Sequence, residues 1–311
     1  MIATTTYTAE EYQEILDILS QAKNQNTVCI FDGPSLKNGV PVITLLTGFK
    51  TPSLNTKTAD MLQSFIVLRD VSPTDAIASG MDQAVCGDCS LRPIIAKFLK
   101  LNSTISEAIV SCYVNVGRSV QAAWNSYKAG NVATITPRQA SILISRLRQC
   151  PGICEATCKR DHIHKATRCS TRKACDNAGH STGPLAYRMG SYGDPGLVPA
   201  SIWEQLSQFL NSKHTSYTHN WQNADLSRSS MASLDRQTFP DVSASIELAK
   251  SRGYRWYRVL AEGEIKRADE ILCPEAKPNS SVTCADCGLC SGTFKFKKAR
   301  RLTGIVIPAI K

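Results

Sequence analysis

An alternation of strand and helix signals from residue 185 onwards constrains the fold of this chain more than any other feature. Short strand-like segments are followed by polar loops, and two of them lead into helical patterns that begin near residues 201 and 242. Strands that alternate with helices predict a parallel sheet with helical crossovers. We therefore expect an α/β fold with a TIM-barrel-like parallel β/α core, complete or partial, and a doubly wound sheet is the alternative. The strand segments are LAYRM, SYTH, SMASLD, YRWYRVL and the closing GIVIPAI.

The first half of the chain carries signals for the same core. Residues 9–23 have the apolar spacing of an amphipathic helix, and TVCIF, VPVITLL and SFIVLRD read as strands. The segments SPTD, TPRQ and SIWE, which begin at residues 72, 136 and 201, each place a hydroxyl where it can cap the first turn of a helix. We therefore expect helices to begin at these three points.

Residues 150–180 interrupt the pattern with CPGICEATCKRDHIHKATRCSTRKACDNAGH, which has almost no large apolar side chains. This stretch is either an insertion ordered by a metal or a mobile basic loop, and no subset of its cysteines and histidines stands out as a ligand set. The predicted organisation is a first half of the core (1–149), a Cys/His-rich basic insertion (150–184), a second half of the core (185–272), and a cysteine-rich metal-binding segment with a closing strand (273–311).

The thirteen cysteines of this 311-residue chain indicate metal sites more than disulfides. A chain of this length buries a core without covalent staples. The first residues, MIATTTYTAEEYQ, lack the basic start and apolar run of a secretory signal, and no apolar run reaches the ~18 residues of a membrane span. We therefore expect a cytoplasmic protein with no membrane partner, and in that compartment clustered cysteines are more often metal ligands.

The strongest metal signal is TCADCGLC, in which Cys284, Cys287 and Cys290 are spaced Cys-x-x-Cys-x-x-Cys. With Cys273 they supply the four thiolates that close a tetrahedral zinc site or complete an iron–sulfur cluster. The spacing leaves the choice between zinc and a cluster open.

A further group consists of Cys86 and Cys89 in VCGDCSLRP with Cys112 in SCYVNVG. Three thiolates would leave one iron of a cluster open to a substrate or to S-adenosylmethionine. A redox dithiol is the alternative for Cys86 and Cys89, and a buried small hydrophobic residue is the alternative for Cys112.

Polar residues at the ends of the predicted strands form a candidate catalytic group. A carboxylate, an imidazole and arginines that arrive on adjacent strand ends are what a site needs, and strand ends gather on one edge of a parallel sheet. Asp194 also stands between Gly193 and Pro195, so its alternative role is to stabilise that turn. The predicted catalytic residues are Arg188, Asp194, His219 and Asp235, and the predicted cofactor-binding residues are Tyr192, Tyr217 and Arg258.

The formal net charge of +10 favours a polyanionic partner, so we expect a nucleic acid or nucleotide. Residues 294–301, FKFKKARR, alternate aromatic and basic side chains, which suits contact with single strands but equally a solvated edge strand. Residues 47–60 lack a Walker motif, and an exposed loop is the favoured interpretation there. The sequence does not indicate an oligomeric state.

Several motifs in this chain resemble a family of uncharacterised bacteriophage proteins. In order they are VCGDCSLRP, CYVNVGRSVQAAWNSYKAGN, YRMGSYGDP, YTHNW, SMASLD and CADCGLC. The pair Cys112-Tyr113 is similar to the cluster motif of radical-SAM-like phage proteins, which implies cluster ligation by Cys86, Cys89 and Cys112. The usual Cys-x3-Cys-x2-Cys spacing is absent, so the ligands would come from two separate segments.

The leading functional hypothesis is a phage-encoded iron–sulfur enzyme of radical-SAM-like type that modifies a nucleic acid or nucleotide. One alternative is a zinc-containing transglycosylase that exchanges nucleobases, in which Asp194 or Asp235 attacks the anomeric carbon. The other alternative is a zinc-stabilised nucleic-acid-binding protein without enzymatic activity.

Overall fold

A computed structural model describes residues 7–51, 55–95, 112, 114–147, 185–208, 213–292 and 303–308. The Cys/His-rich insertion and the FKFKKARR segment lie outside these residues, so the predictions made for them are not addressed by the structure.

The described strands form one ten-stranded sheet of order β4-β1-β2-β3-β5-β6-β7-β8-β10-β9. The strands are β1 (Asn24–Pro34), β2 (Pro41–Thr47), β3 (Leu62–Leu68), β4 (Val132–Thr134), β5 (Tyr187–Tyr192), β6 (His214–Thr218), β7 (Met231–Ser233), β8 (Trp256–Val259), β9 (Glu270–Leu272) and β10 (Gly304–Ile307).

Most neighbouring strands of this sheet are parallel, which confirms the predicted parallel β/α core. Among the described strands, the pairs β1–β2 and β2–β3 are antiparallel and the others are parallel. The strands β1 and β2 form a hairpin whose short connection contains Gly39 at φ 75°. Among the described strands β4 and β9 stand at opposite ends of the order and do not pair. The sheet is therefore open, and these strands do not form the complete barrel.

The described helices follow the predicted capping signals, with one exception. Ser72 accepts the hydrogen bond of Asp75 N, and Thr136 forms a capping box with Gln139. The expected capping box at Ser201 is wrong, because the helix begins at Ala200 with Pro199 as a cap that has no side-chain acceptor. The α-helices are α1 (Ala9–Gln21), α2 (Pro73–Ser79), α3 (Gln83–Cys86), α4 (Gln121–Lys128), α5 (Pro137–Arg146), α6 (Ala200–Ser207), α7 (Val242–Ser251) and α8 (Cys284–Cys287).

The loop after β5 is fixed by a very close approach between backbones. Gly193 has φ 78°, and a Cβ atom there would lie 2.6 Å from the carbonyl oxygen of Ile66 in β3. Asp194 N donates to the carbonyl of Val85 in α3 at 2.6 Å. Only glycine fits this position, so the Gly-Asp-Pro turn is held against the segment that carries Cys86 and Cys89.

The main apolar core of the described residues extends along the sheet and includes the fully buried Trp203, Trp221 and Trp256, and two small separate clusters lie near α8 and β10. None of the described helices is both long enough and apolar enough to cross a membrane.

Candidate functional site

The C-terminal cysteines, which we call the second cysteine group, all line one cavity. Its members are Cys273, Cys284, Cys287 and Cys290. Cys273 directly follows β9, Cys284 and Cys287 begin and end α8, and Cys290 follows Gly288, whose φ of 63° turns the chain. The four cysteines that the sequence predicts as ligands therefore border a common space, and their ligation of a metal stays a prediction.

Backbone hydrogen bonds attach the parts of this group to the sheet and to the turn that precedes β3. Cys273 N donates to Val306 of β10 at 2.8 Å, and Cys284 N donates to Lys57 at 2.9 Å. Ser216 N of β6 donates to the carbonyl of Cys290 at 2.9 Å. Residues 273–290 are thus anchored around the cavity by contacts with β6, with β10 and with Lys57.

Cationic and hydroxyl groups surround the second cysteine group. Lys57 Nζ lies 2.9 Å from Glu275 Oε2, and both residues line the cavity. The side chain of Tyr217 interacts with that of Cys290, which partly offsets the effect of burial in raising the pKa of that thiol. The ring of Tyr217 packs against that of Tyr257, with 4.4 Å between the ring centroids.

Burial raises the pKa of the thiols of Cys284, Cys287 and Cys290. It raises the pKa of Cys290 to about 12 and that of Cys284 to about 11, and the neighbouring Cys273 acts in the same direction on both. Without a cation these groups are neutral thiols at pH 7. A metal ion would displace their protons, since thiolates are the ligands that zinc and iron–sulfur clusters take.

The structure also brings together Cys86, Cys89 and Cys112, which we call the first cysteine group. Cys86 ends α3, and Cys89 N donates to the carbonyl of Cys86 at 3.4 Å. Cys112 joins them from a distant part of the chain, because its N–H donates to the carbonyl of Leu91 at 2.7 Å. Burial raises the pKa of all three thiols, and electrostatic repulsion among them adds to the effect on Cys86 and Cys89.

A buried ion pair fixes the segment that carries the first cysteine group. Arg92 donates to both carboxylate oxygens of Asp82, at 3.1 and 2.6 Å, and both side chains are buried. The same guanidinium donates to the carbonyls of Gly80 and Gly87. Because Gly87 lies between Cys86 and Cys89, this pair sets the conformation of the Cys-x-x-Cys turn.

The donor chemistry of both groups suits a soft metal, since each offers three or four thiols and little else at the centre. Within the described residues, however, no set of three or more His, Cys, Asp or Glu side chains has the arrangement that holds a metal ion directly. Ligation by these cysteines therefore enters below as a proposal.

Asp194 is fully engaged in hydrogen bonds. Its Oδ1 accepts from Gly196 N at 2.8 Å and from Thr218 Oγ1 at 2.6 Å. Its Oδ2 accepts from His219 N at 2.7 Å and from Asn220 N at 3.2 Å. A carboxylate with four donors has little capacity left to attack a substrate. These contacts match the interpretation in which Asp194 stabilises the turns that follow β5 and β6.

His219 and Asp235 face each other across the ends of β6 and β7. His219 Nε2 lies 3.4 Å from Asp235 Oδ2, and neither atom has a hydrogen-bond partner within the described part of the chain. The other carboxylate oxygen, Asp235 Oδ1, accepts from Ser90 Oγ at 3.0 Å and from Thr238 N at 2.8 Å. The carboxylate is thus held with one oxygen directed at the imidazole.

This pair lies beside the first cysteine group. Ser90 directly follows Cys89, and the Asp235 carboxylate adds to the effect of burial in raising the pKa of Cys89 to about 12. Tyr192 belongs to the same region, because the charge of Cys86 acts on its hydroxyl. Burial raises the pKa of Tyr192, and Cys86 raises it further. Its hydroxyl has no hydrogen-bond partner among the described residues. Sequence reasoning missed Ser90, although its position next to a candidate ligand could have indicated it.

The remaining predicted residues lie in different places. Arg258 donates to both oxygens of Glu270 at 2.7 Å and to Glu264 at 2.7 Å, so it belongs to a buried ion-pair network rather than to either cysteine group. Tyr217 lines the cavity of the second cysteine group. Arg188 is the second residue of β5, where it pairs with Gln63 of β3 and Thr215 of β6.

Comparison of the chain with protein-family models, with curated proteins and with solved structures gave no match. The geometry of the site is therefore the basis for assigning a function.

Proposed function

We propose that this protein is a phage-encoded, metal-dependent enzyme that acts on a nucleic acid or nucleotide. The first cysteine group would hold the working iron–sulfur centre, and the second cysteine group would hold an auxiliary centre. In this proposal the open sheet acts as a partial barrel whose strand ends carry the substrate. A three-thiolate cluster of this kind supplies an iron site open to substrate or to S-adenosylmethionine when it is bound.

The observation that carries the proposal is the position of His219 and Asp235 beside the first cysteine group. The two facing atoms of this pair lie 3.4 Å apart and lack hydrogen-bond partners among the described residues. Buried polar atoms without partners are costly, so their persistence favours a role in binding a group that the free protein lacks. In this role His219 would move a proton, and Asp235 would orient the imidazole.

Purification without oxygen tests this proposal through the content of iron, sulfide and zinc. We expect brown protein with iron and sulfide, and we expect Cys86→Ser/Cys89→Ser and Cys284→Ser/Cys287→Ser each to lose part of that content. Cys29→Ala is the matched control, because Cys29 is buried in β1 away from both groups and should leave the metal content unchanged. Wild-type protein without stoichiometric metal would contradict the proposal.

The nucleobase-exchanging zinc transglycosylase remains the second candidate. Asp194 is occupied by four donors, whereas Asp235 Oδ2 has no hydrogen bond within the described residues. Asp235 is therefore the carboxylate available for nucleophilic attack. Colourless protein with stoichiometric zinc, together with trapping of a covalent nucleoside adduct on Asp235, would support this function over the iron–sulfur enzyme.

A further inference from the structure

Two hydroxyl groups hold the Asp235 carboxylate on the side away from His219. Thr238 Oγ1 donates to Ser90 Oγ at 2.9 Å, and Ser90 Oγ donates to Asp235 Oδ1 at 3.0 Å. Thr238 also donates its backbone N–H to the same carboxylate oxygen at 2.8 Å. We call the chain of hydrogen bonds from the Thr238 hydroxyl through Ser90 to Asp235 the hydroxyl relay.

The number of protons in the hydroxyl relay fixes its direction. A hydroxyl group has one proton to donate and can also accept. Because Ser90 Oγ accepts the proton of Thr238, its own proton is left for the carboxylate. A second acceptor, Gln237 Oε1, is more distant from Ser90 Oγ at 3.5 Å. Asp235 Oδ1 is therefore occupied by two donors, and Oδ2 is left 3.4 Å from His219 Nε2.

The hydroxyl relay joins two separate segments of the chain. Asp235 and Thr238 belong to the loop that follows β7, whereas Ser90 directly follows Cys89 of the first cysteine group. Ser90 is buried, and the N–H of Arg92 donates to the carbonyl of Cys89 at 3.3 Å. Ser90 is thus held tightly to the backbone of Cys89. A shift of that backbone would therefore move Ser90 Oγ and, through it, the Asp235 carboxylate.

We propose that Thr238 and Ser90 are positioning residues that couple the first cysteine group to the His219–Asp235 pair. The inference rests on the proposed function in one respect, namely that the first cysteine group binds a metal. A metal bound to the Cys89 thiolate fixes the backbone to which Ser90 belongs. Hydrogen bonds beyond the ligands of a metal orient the groups around it. Metal binding should therefore strengthen the contact between Asp235 Oδ2 and His219 Nε2 through the hydroxyl relay.

The zinc affinity of the first cysteine group tests this coupling. Cys284→Ser/Cys287→Ser removes the second cysteine group, and zinc serves as the probe metal, because thiolates bind it whichever metal is native. Competition with a chromophoric chelator gives the zinc dissociation constant before and after Thr238→Val. This substitution removes the hydroxyl and keeps the backbone N–H that donates to Asp235. Coupling is reciprocal, so a contact that metal binding strengthens must strengthen metal binding in turn.

We expect Thr238→Val to weaken zinc binding about threefold, which is the effect of one hydrogen bond. Thr238→Ser keeps the hydroxyl and should keep the affinity. In a His219→Phe background Thr238→Val should have no effect, because the hydroxyl relay acts on zinc only through the pair. Thr134→Val is the matched control, since Thr134 is exposed in β4 at one end of the sheet, and it should leave the affinity unchanged. A loss that persists in the His219→Phe background, or no loss in the parent protein, would overturn the inference.

A second measurement observes the imidazole directly. The ¹⁵N signals of His219, recorded at constant pH on protein labelled with ¹⁵N-histidine and assigned with His219→Phe, should shift when zinc is added. The shift should be absent in Cys86→Ser/Cys89→Ser and smaller after Thr238→Val. Zinc binding that leaves the His219 signals unchanged, or shifts them equally with and without the Thr238 hydroxyl, would contradict the inference alone. Failure of the intact first cysteine group to bind zinc would instead contradict the proposed function, and the inference with it.

Discussion

At the scale of single residues, hydrogen bonds separate two aspartates that the sequence offers for the same role. Asp194 and Asp235 both follow a strand of the parallel sheet. Asp194 accepts four hydrogen bonds, whereas Asp235 leaves Oδ2 facing His219 without a hydrogen bond among the described residues. The hydrogen bonds of Asp194 therefore stabilise the turns around it. Asp235 has the carboxylate oxygen that is left to contact a substrate.

Substitution of Asp194 by Asn should lower stability. The amide N–H groups of the new Asn would face N–H and O–H groups that now donate to the buried carboxylate, so some of these hydrogen bonds would be lost. Hydrogen bonds to charged groups contribute about 1.5–3 kcal/mol each. We expect the free energy of unfolding in urea to fall by about 3 kcal/mol. Asp225→Asn removes the same charge from an exposed position and should change stability by less than about 0.5 kcal/mol. Equal effects of the two substitutions would contradict the structural role.

At the scale of elements, the end of the sheet at β8, β10 and β9 is held by a buried ion pair. Arg258 of β8 reaches Glu270 of β9 beneath β10, with both carboxylate oxygens at 2.7 Å. Burial by itself raises the pKa of Glu270, but hydrogen bonds from Arg258, Trp256 and the backbone of Arg267 outweigh it and lower that pKa. The carboxylate is therefore stabilised in its charged form.

This lowered pKa predicts a pH dependence of stability. Glu270 contributes stability that is complete above the unfolded-state pKa of about 4.3 and is lost as pH falls through the lower folded-state value. Between about pH 5 and pH 3 the free energy of unfolding should therefore fall more steeply in wild type than in Arg258→Met/Glu270→Gln. The double variant is used because removal of one partner alone would leave a buried charge. Parallel urea-unfolding profiles over this range would contradict the assignment.

At the scale of the whole molecule, the second cysteine group connects distant parts of the chain. Its segment is attached to Lys57 in the first half of the chain and to β6 and β10 in the second half. A metal held by these cysteines would bind only the folded state and would stabilise it by mass action.

Removal of metal should therefore lower the melting temperature of the whole protein. A metal at 100 to 1,000 times its dissociation constant contributes about 3–4 kcal/mol. We expect a chelator to lower the melting temperature of wild type, added zinc to restore it, and Cys284→Ser/Cys287→Ser to respond less. Cys29→Ala should respond as wild type does. A wild-type melting temperature that the chelator leaves unchanged would show that metal does not support the fold.

The sequence by itself determined the local elements and the pool of candidate ligands. The strand and helix signals from residue 185 onwards predicted the parallel core, and the hydroxyls of Ser72 and Thr136 predicted two helix starts, because capping and apolar periodicity are local properties. The spacing of Cys284, Cys287 and Cys290 likewise fixed their proximity, since a loop of this length cannot separate them far. The capping box expected at Ser201 is wrong because the helix already begins at Ala200, with Pro199 as its cap.

Only the tertiary structure decided which candidates meet and what each can do. Cys112 N donates to the carbonyl of Leu91, which lies two residues after Cys89. This contact joins residues far apart in the sequence, so no local pattern predicts it. In the sequence, Arg258 and Asp194 were candidates for binding a cofactor or a substrate. In the fold, Arg258 is paired with Glu270, and Asp194 accepts four hydrogen bonds. The number of hydrogen bonds that a side chain makes depends on groups that the fold brings together from separate strands. It therefore follows from the packing of the sheet and cannot be derived from the order of residues.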